Sequence, residues 1–132
     1  MVLNEQRPEV ENEMSKKPVS RKKVVDKAMI SGIMRTVSRH EGFHFYRDQG
    51  DATGKVATSL TEFVKQLGAV DVRSVNFHFK RRDFEKWIRD IIGDVELATK
   101  LGKIRKATHG EKLRNELVQI VNRRLDELTA GS

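Results

Sequence analysis

The chain holds four imidazoles, His40, His44, His78 and His109. Two of them sit in a repeated triplet, Phe43-His44-Phe45 and Phe77-His78-Phe79. If both triplets formed neighbouring strands, His44 and His78 would face the same side and could bind a metal or an anion together. None of the imidazoles has HExxH or paired-ligand spacing, and a joint site also needs a full ligand count and a second shell. The plainer reading is a structural histidine between core phenylalanines. Asp48, Asp51, Asp83, Asp90 and Asp94 are numerous enough for acid/base work, yet Asp83 and Asp94 stand where helix caps belong and Asp48 and Asp51 fall in a turn. There is no GxSxG, no P-loop and no dinucleotide fingerprint, and Gly50 and Gly54 in DQGDATGK are too isolated to cradle a phosphate. The residues therefore predict a non-enzymatic protein with no catalytic set, no metal site and no cofactor.

Positive charge is the second chemistry on offer. Lysine and arginine number 26 against 19 acidic residues, a net +7, with a pI near 9.9. An excess of that size favours polyanionic partners through long-range attraction. The charge is segregated: residues 1–14 carry a net of about −3 and residues 15–28 about +5 by formal counting. Lys16, Lys17, Arg21, Lys22 and Lys23 make a basic arm of the kind that neutralises phosphates and releases counterions without reading sequence. Lys80, Arg81 and Arg82 stand at a helix entrance, Arg73 precedes them, and Lys100, Lys103, Arg105 and Lys106 decorate the next helix. The candidate nucleic-acid contacts are Lys16, Lys17, Arg21, Lys22, Lys23, Arg73, Lys80, Arg81, Arg82 and Lys103. DNA is the expected partner, with RNA as its variant, in a nucleoid-associated or regulatory role. The alternative is a protein-interaction or regulatory module whose basic residues are solvated surface. Trp87 could stack on a base, but it shares a stripe with Phe84, Ile88 and Ile91 and is better placed in the core.

These residues must be positioned by a chain of 132 residues, a single-domain length that can bury a core without disulfides. It has no cysteine, no apolar run long enough to span a bilayer, and an acidic, polar N-terminus unlike a signal peptide. A soluble, cytoplasmic protein is expected. Residues 1–22, polar and carrying both prolines, predict a disordered arm. Residues 23–132 predict one helical domain.

Val25, Ala28, Met29, Ile33 and Val37 recur at helical spacing and lead to Arg39 and His40. Residues 42–58 predict a hairpin with a loop of several residues. Ser59 and Glu62 make a capping box, followed by the stripe Leu60, Phe63, Val64 and Leu67 and a stop at Gly68. For Val75 to Phe79 the pattern fits helix and strand alike. Phe84, Trp87, Ile88 and Ile91 predict a helix between Asp83 and Gly93, and Asp94 caps another that carries Leu97, Ala98, Leu101 and Ile104. Thr108 and Glu111 open an amphipathic helix over 109–129, bearing Leu113, Leu117, Ile120, Val121, Leu125 and Leu128. That stripe, with Arg114, Arg123 and Arg124, could pair with a second copy in a homodimer or be buried against the domain itself. The fold class is α+β, mostly α, with a small N-terminal hairpin packed on about four to five helices.

The stretch FHFYRDQGDATGKVATSLTEFVKQL followed by SVNFHFKRRDFEKWIRDIIGDVELA resembles a small uncharacterised domain of archaeal and some bacterial proteins. The shared pattern is an aromatic strand, a Ser-Leu-x-Glu-Phe helix, and a Phe-His motif leading into DFxxWIxDxxGDxxLA. Here those positions are Phe77, His78, Asp83, Phe84, Trp87, Ile88, Asp90, Gly93, Asp94, Leu97 and Ala98. The likeness covers residues 42–105. It implies a domain that stands alone or is appended to other modules, and it carries over no catalytic residue.

Overall fold

A computed structural model of the protein describes residues 26–130. The predicted disordered arm, 1–22, lies outside them. Within the described residues the domain is mostly helical with one small hairpin near its start, as the pattern predicts, and it has six α-helices. Helix α1 spans Lys27–Met34 and is capped by Asp26, whose carboxylate accepts from the Met29 N–H at 2.7 Å. It ends sooner than its apolar spacing suggests. Val37 lies in the extended chain beyond it and is buried there, its N–H donating to Thr58 O at 2.8 Å. Arg39 and His40 belong to a separate 3-10 turn, Arg39–Glu41.

Strands β1 (Phe43–Asp48) and β2 (Asp51–Ala57) pair antiparallel with two register irregularities. Their connection is shorter than expected. Only Gln49 and Gly50 lie between the strands, because Asp51 to Gly54, read as loop, continue the ladder. Phe43 and Phe45 point inward and His44 outward, the alternation a half-buried strand requires.

Helix α2 (Leu60–Leu67) starts on Ser59, whose hydroxyl accepts from the Glu62 N–H at 3.1 Å. The return half of the capping box is displaced by one residue, since Glu62 Oε1 accepts from the Thr58 N–H and hydroxyl at 2.9 and 3.0 Å. Ser59→Ala is expected to cost about 1 kcal/mol, the usual worth of an N-cap hydroxyl, measurable as a shift of the urea midpoint at constant slope.

Helix α3 (Val72–Arg81) settles the ambiguous segment. Its N-cap Asp71 accepts from the Arg73 N–H at 2.9 Å, and its side chain is held by the Arg73 guanidinium, which lowers the Asp71 pKa to about 2. The second Phe-His-Phe triplet is thus helical and the premise of two adjacent His-bearing strands falls. Ser74, Val75 and His78 share the buried side of this helix.

Helix α4 (Asp83–Trp87) continues into a π-turn, Ile88–Ile92. The wider turn delays the apolar stripe by one residue, so Ile92 rather than Ile91 is the fully buried isoleucine. Gly93 ends it with φ 89°, a conformation that favours glycine, and its N–H donates to Ile88 O at 2.8 Å. The cap expected of Asp83 is absent. Arg82 occupies that position in a left-handed conformation, φ 63°, and makes no side-chain cap.

Asp94 caps α5 (Val95–Gly102), accepting from the Leu97 N–H at 3.1 Å. Helix α6 (Gly110–Ala130) begins on a different partner from the one expected: the Gly110 N–H donates to Asn76 Oδ1 at 2.8 Å, and Glu111 pairs with Arg114. Its buried stripe, Leu113, Leu117, Val121, Arg124 and Leu128, closes the domain's own core. Among the described residues no helix is long and apolar enough to cross a membrane.

The core is aromatic at its centre. Phe43 meets Phe45, Phe84 and Trp87 at centroid separations of 4.8, 5.2 and 5.7 Å. Trp87 is therefore a core residue, and its indole N–H donates to Glu41 O at 2.8 Å, satisfying the one polar atom it buries. Two guanidiniums tie the periphery to this centre. Arg35 donates to the carbonyls of Ile91 and Ile92, which the end of the π-turn leaves without helical partners. Arg124 reaches Asp94 from α6, Nε to Oδ2 at 2.8 Å and Nη2 to Oδ1 at 3.1 Å, with the two side chains 3% and 1% exposed.

Candidate functional site

Two groups of residues hold chemistry that packing leaves open. The first surrounds His78. Helix α3 carries this imidazole under the hairpin, where Nε2 accepts from the Tyr46 N–H at 2.8 Å and Nδ1 donates to Asp83 Oδ2 at 2.8 Å. These partners fix the neutral Nδ1–H tautomer. Burial pushes the His78 pKa down, outweighing the carboxylate of Asp83, which pushes it up. Asp83 Oδ2 also accepts from Arg81 Nε at 3.0 Å, and the Arg81 guanidinium lies 5.1 Å from the Phe77 ring centroid.

A His–Asp pair suggests acid/base chemistry, but a general base needs a free ring nitrogen within reach of the proton it takes. Here Nε2 is occupied by a backbone donor. The pair works as a pin between α3, β1 and the start of α4. His44 and His78 border the same cleft of about 310 Å3, although His44 is exposed on β1 and bonded to Arg39 O at 3.1 Å. Among the described residues no group of three or more His, Asp or Glu side chains is placed to hold a metal.

The second group lies on another side of α3, where its C-terminal end meets the chain after α5. From Leu97 to Gly110 there is no carboxylate, while Lys100, Lys103, Arg105 and Lys106 are all present. Lys100 is held by Glu96 at 3.3 Å. Lys103, Arg105 and Lys106 are exposed and have no ion-pair partner among the described residues, and neither has Lys80 across the groove. Lys80, Lys106 and the ring of Phe79 border two adjoining clefts of about 270 and 350 Å3. Leu101 and Ile104 line the first and Asn76 and Thr108 the second.

The expected cationic contacts divide on this basis. Arg73 is paired with Asp71 at 2.8 Å and Arg81 with Asp83 at 3.0 Å, while Arg82 stands 3.9 Å from Glu85. Lys80, Arg81 and Arg82 end α3 rather than open the next helix. Lys80 and Lys103 remain unpaired among the described residues, and Lys80 and Lys106 border the same two clefts. Arg105 and Lys106 are unpaired there too, and decorate the basic stretch without being among the expected contacts. Their common signal was the acid-free interval between Glu96 and Glu111. Lys16, Lys17, Arg21, Lys22 and Lys23 lie outside the described residues. Comparison of the chain with family models, with curated proteins and with solved structures gives no match.

Proposed function

We propose that the protein is a non-enzymatic DNA-binding protein that grips phosphates through the face bearing Lys80, Lys103, Arg105 and Lys106. The observation that carries this reading is the run of exposed Lys103, Arg105 and Lys106, unpaired among the described residues, in an interval without a carboxylate, Leu97 to Gly110, with Lys80 beside Lys106 across the cleft. A cation already bonded to a neighbouring carboxylate has less to offer a phosphate; a free one exchanges only counterions. The basic arm adds charge of the same sign. The occupied Nε2 of His78 supports the non-enzymatic half of the reading.

Four phosphate contacts imply that affinity falls about a hundredfold between about 50 and 200 mM salt, and by themselves they add no dependence on sequence. Lys80→Gln/Lys106→Gln should reduce the slope of log affinity against log salt by about 2. Fluorescence anisotropy with labelled duplex and single-stranded DNA measures both. Absence of binding to either at about 50 mM salt removes the reading in favour of a protein partner.

A further inference from the structure

The cleft between α3 and α5 has more in it than phosphate binding requires. One wall is apolar, formed by Phe79, Leu101 and Ile104, and its rim carries Lys80 and Lys106. Glu85 also lines this cleft, its side chain only 20% exposed. No donor lies within hydrogen-bond distance of its carboxylate among the described residues, and the nearest cation, Arg82 Nη1, is 3.9 Å away. Gly102 makes room for it, since a Cβ there would stand 3.2 Å from Glu85 Oε2. A carboxylate recessed in the cleft but still open to solvent can take a donor from a ligand, a charge-assisted bond of the stronger kind. On a surface built only to attract phosphate it would be out of place.

We propose that this cleft takes an unpaired nucleobase bearing an exocyclic amine, its ring against Phe79, its amine donating to Glu85, and its flanking phosphates on Lys80 and Lys106. The inference rests on the DNA-binding reading and sharpens it, from a polyanion in general to a single strand. Aromatic and apolar walls suit the π-face of any base, whereas base edges inside a duplex are already paired and stacked. A carboxylate accepts from the amine of cytosine, adenine or guanine and finds no such donor on the exocyclic positions of thymine. At about 270 Å3 the cleft is of the size of one nucleotide, base and sugar together, which makes this a site for a single nucleotide within a longer strand.

The test uses the full chain and three labelled DNAs of about 15 nucleotides: an all-cytosine strand, an all-thymine strand and a mixed duplex. The cytosine strand should bind about tenfold tighter than the thymine strand, and both tighter than the duplex. Glu85→Gln should bring the two strands close together. Phe79→Leu should weaken both about tenfold while leaving the salt slope unchanged. Lys106→Gln, an exposed change that does not touch the core, should lower the slope by about 1 without altering the preference for cytosine, so the result does not depend on the Phe79 variant folding. Equal affinity for the two strands, or a duplex bound as tightly as either, overturns the proposal and leaves phosphate binding standing. No binding to any of the three ends both.

Discussion

Arg124→Leu is expected to lower the free energy of unfolding by about 3–5 kcal/mol. The substitution is nearly volume-conserving and adds apolar surface at a position only 3% exposed, so packing alone would make it mild. What decides the outcome is the partner. Asp94 is 1% exposed and keeps one hydrogen bond from the Leu97 N–H, but loses both guanidinium bonds and faces a buried charge with no cation. In the native chain burial works against the charge of Arg124, yet the hydrogen bonds and charge of Asp94, with Glu127 and Glu96 beside them, raise its pKa above the ordinary arginine value. Adding Asp94→Asn removes the stranded charge and retains a capping side chain, so the double variant should recover a good part of the loss. Urea melts of the wild type, the two single variants and the double variant give the coupling directly. A single-variant loss below about 1 kcal/mol contradicts the buried pair.

His78→Ala should cost about 3 kcal/mol or more at pH 7.5, because the Tyr46 N–H and the Asp83 carboxylate each lose a buried partner and a cavity opens beside Phe43. Unlike the effect at Arg124, this one should depend on pH. The folded state binds a proton at His78 less readily than the unfolded chain, so its pKa is lower in the fold. The contribution of the neutral ring is complete above the unfolded value of about 6.5 and is lost as pH falls below it toward the folded value. The main cause is burial of the ring, and the geometry agrees with it: a proton on Nε2 would set two donors, ring and backbone, against each other at Tyr46. The difference in stability between the wild type and His78→Ala should therefore shrink from pH 7.5 to pH 5. A difference that stays constant or grows would mean that the ring is charged in the fold.

Much of the architecture was legible because helix caps and apolar stripes are local. Ser59, Asp94 and Gly93 lie where the chain says helices start or stop, and the structure places them there. The failures share a different origin. Asp83 has the spacing of a cap, but His78 and Arg81 take its carboxylate, and nothing local tells a cap from an ion-pair partner. Arg124 was named with Arg114 and Arg123 as flanking a stripe that could pair with a second copy, although it lies three residues past Val121 and four before Leu128, on the stripe itself; its charge concealed a buried position. The π-turn moved burial from Ile91 to Ile92, a one-residue displacement that no period of 3.6 contains. The second Phe-His-Phe alternates like the first and is nevertheless a helix, because tertiary contacts with the hairpin and α6 decide where local pattern is balanced. For the candidate site, the basic residues were visible as composition. Which of them are free was not, since that depends on carboxylates brought close by folding.

The segment from Ile91 to Asp94 receives Arg35 from one direction and Arg124 from the other, across separations of 57 and 30 residues. Neither bond can be made by a neighbouring stretch of chain. Loop closure over such spans must come before any reward for the contact, which places this junction late in folding. The half made by Arg35 needs only the chain as far as the π-turn, whereas the half made by Arg124 must wait for α6 to dock. The hairpin and α2 to α4 can therefore gather around the aromatic centre first, but the clasp that joins α1, the π-turn and α6 shuts only once α6 is in place.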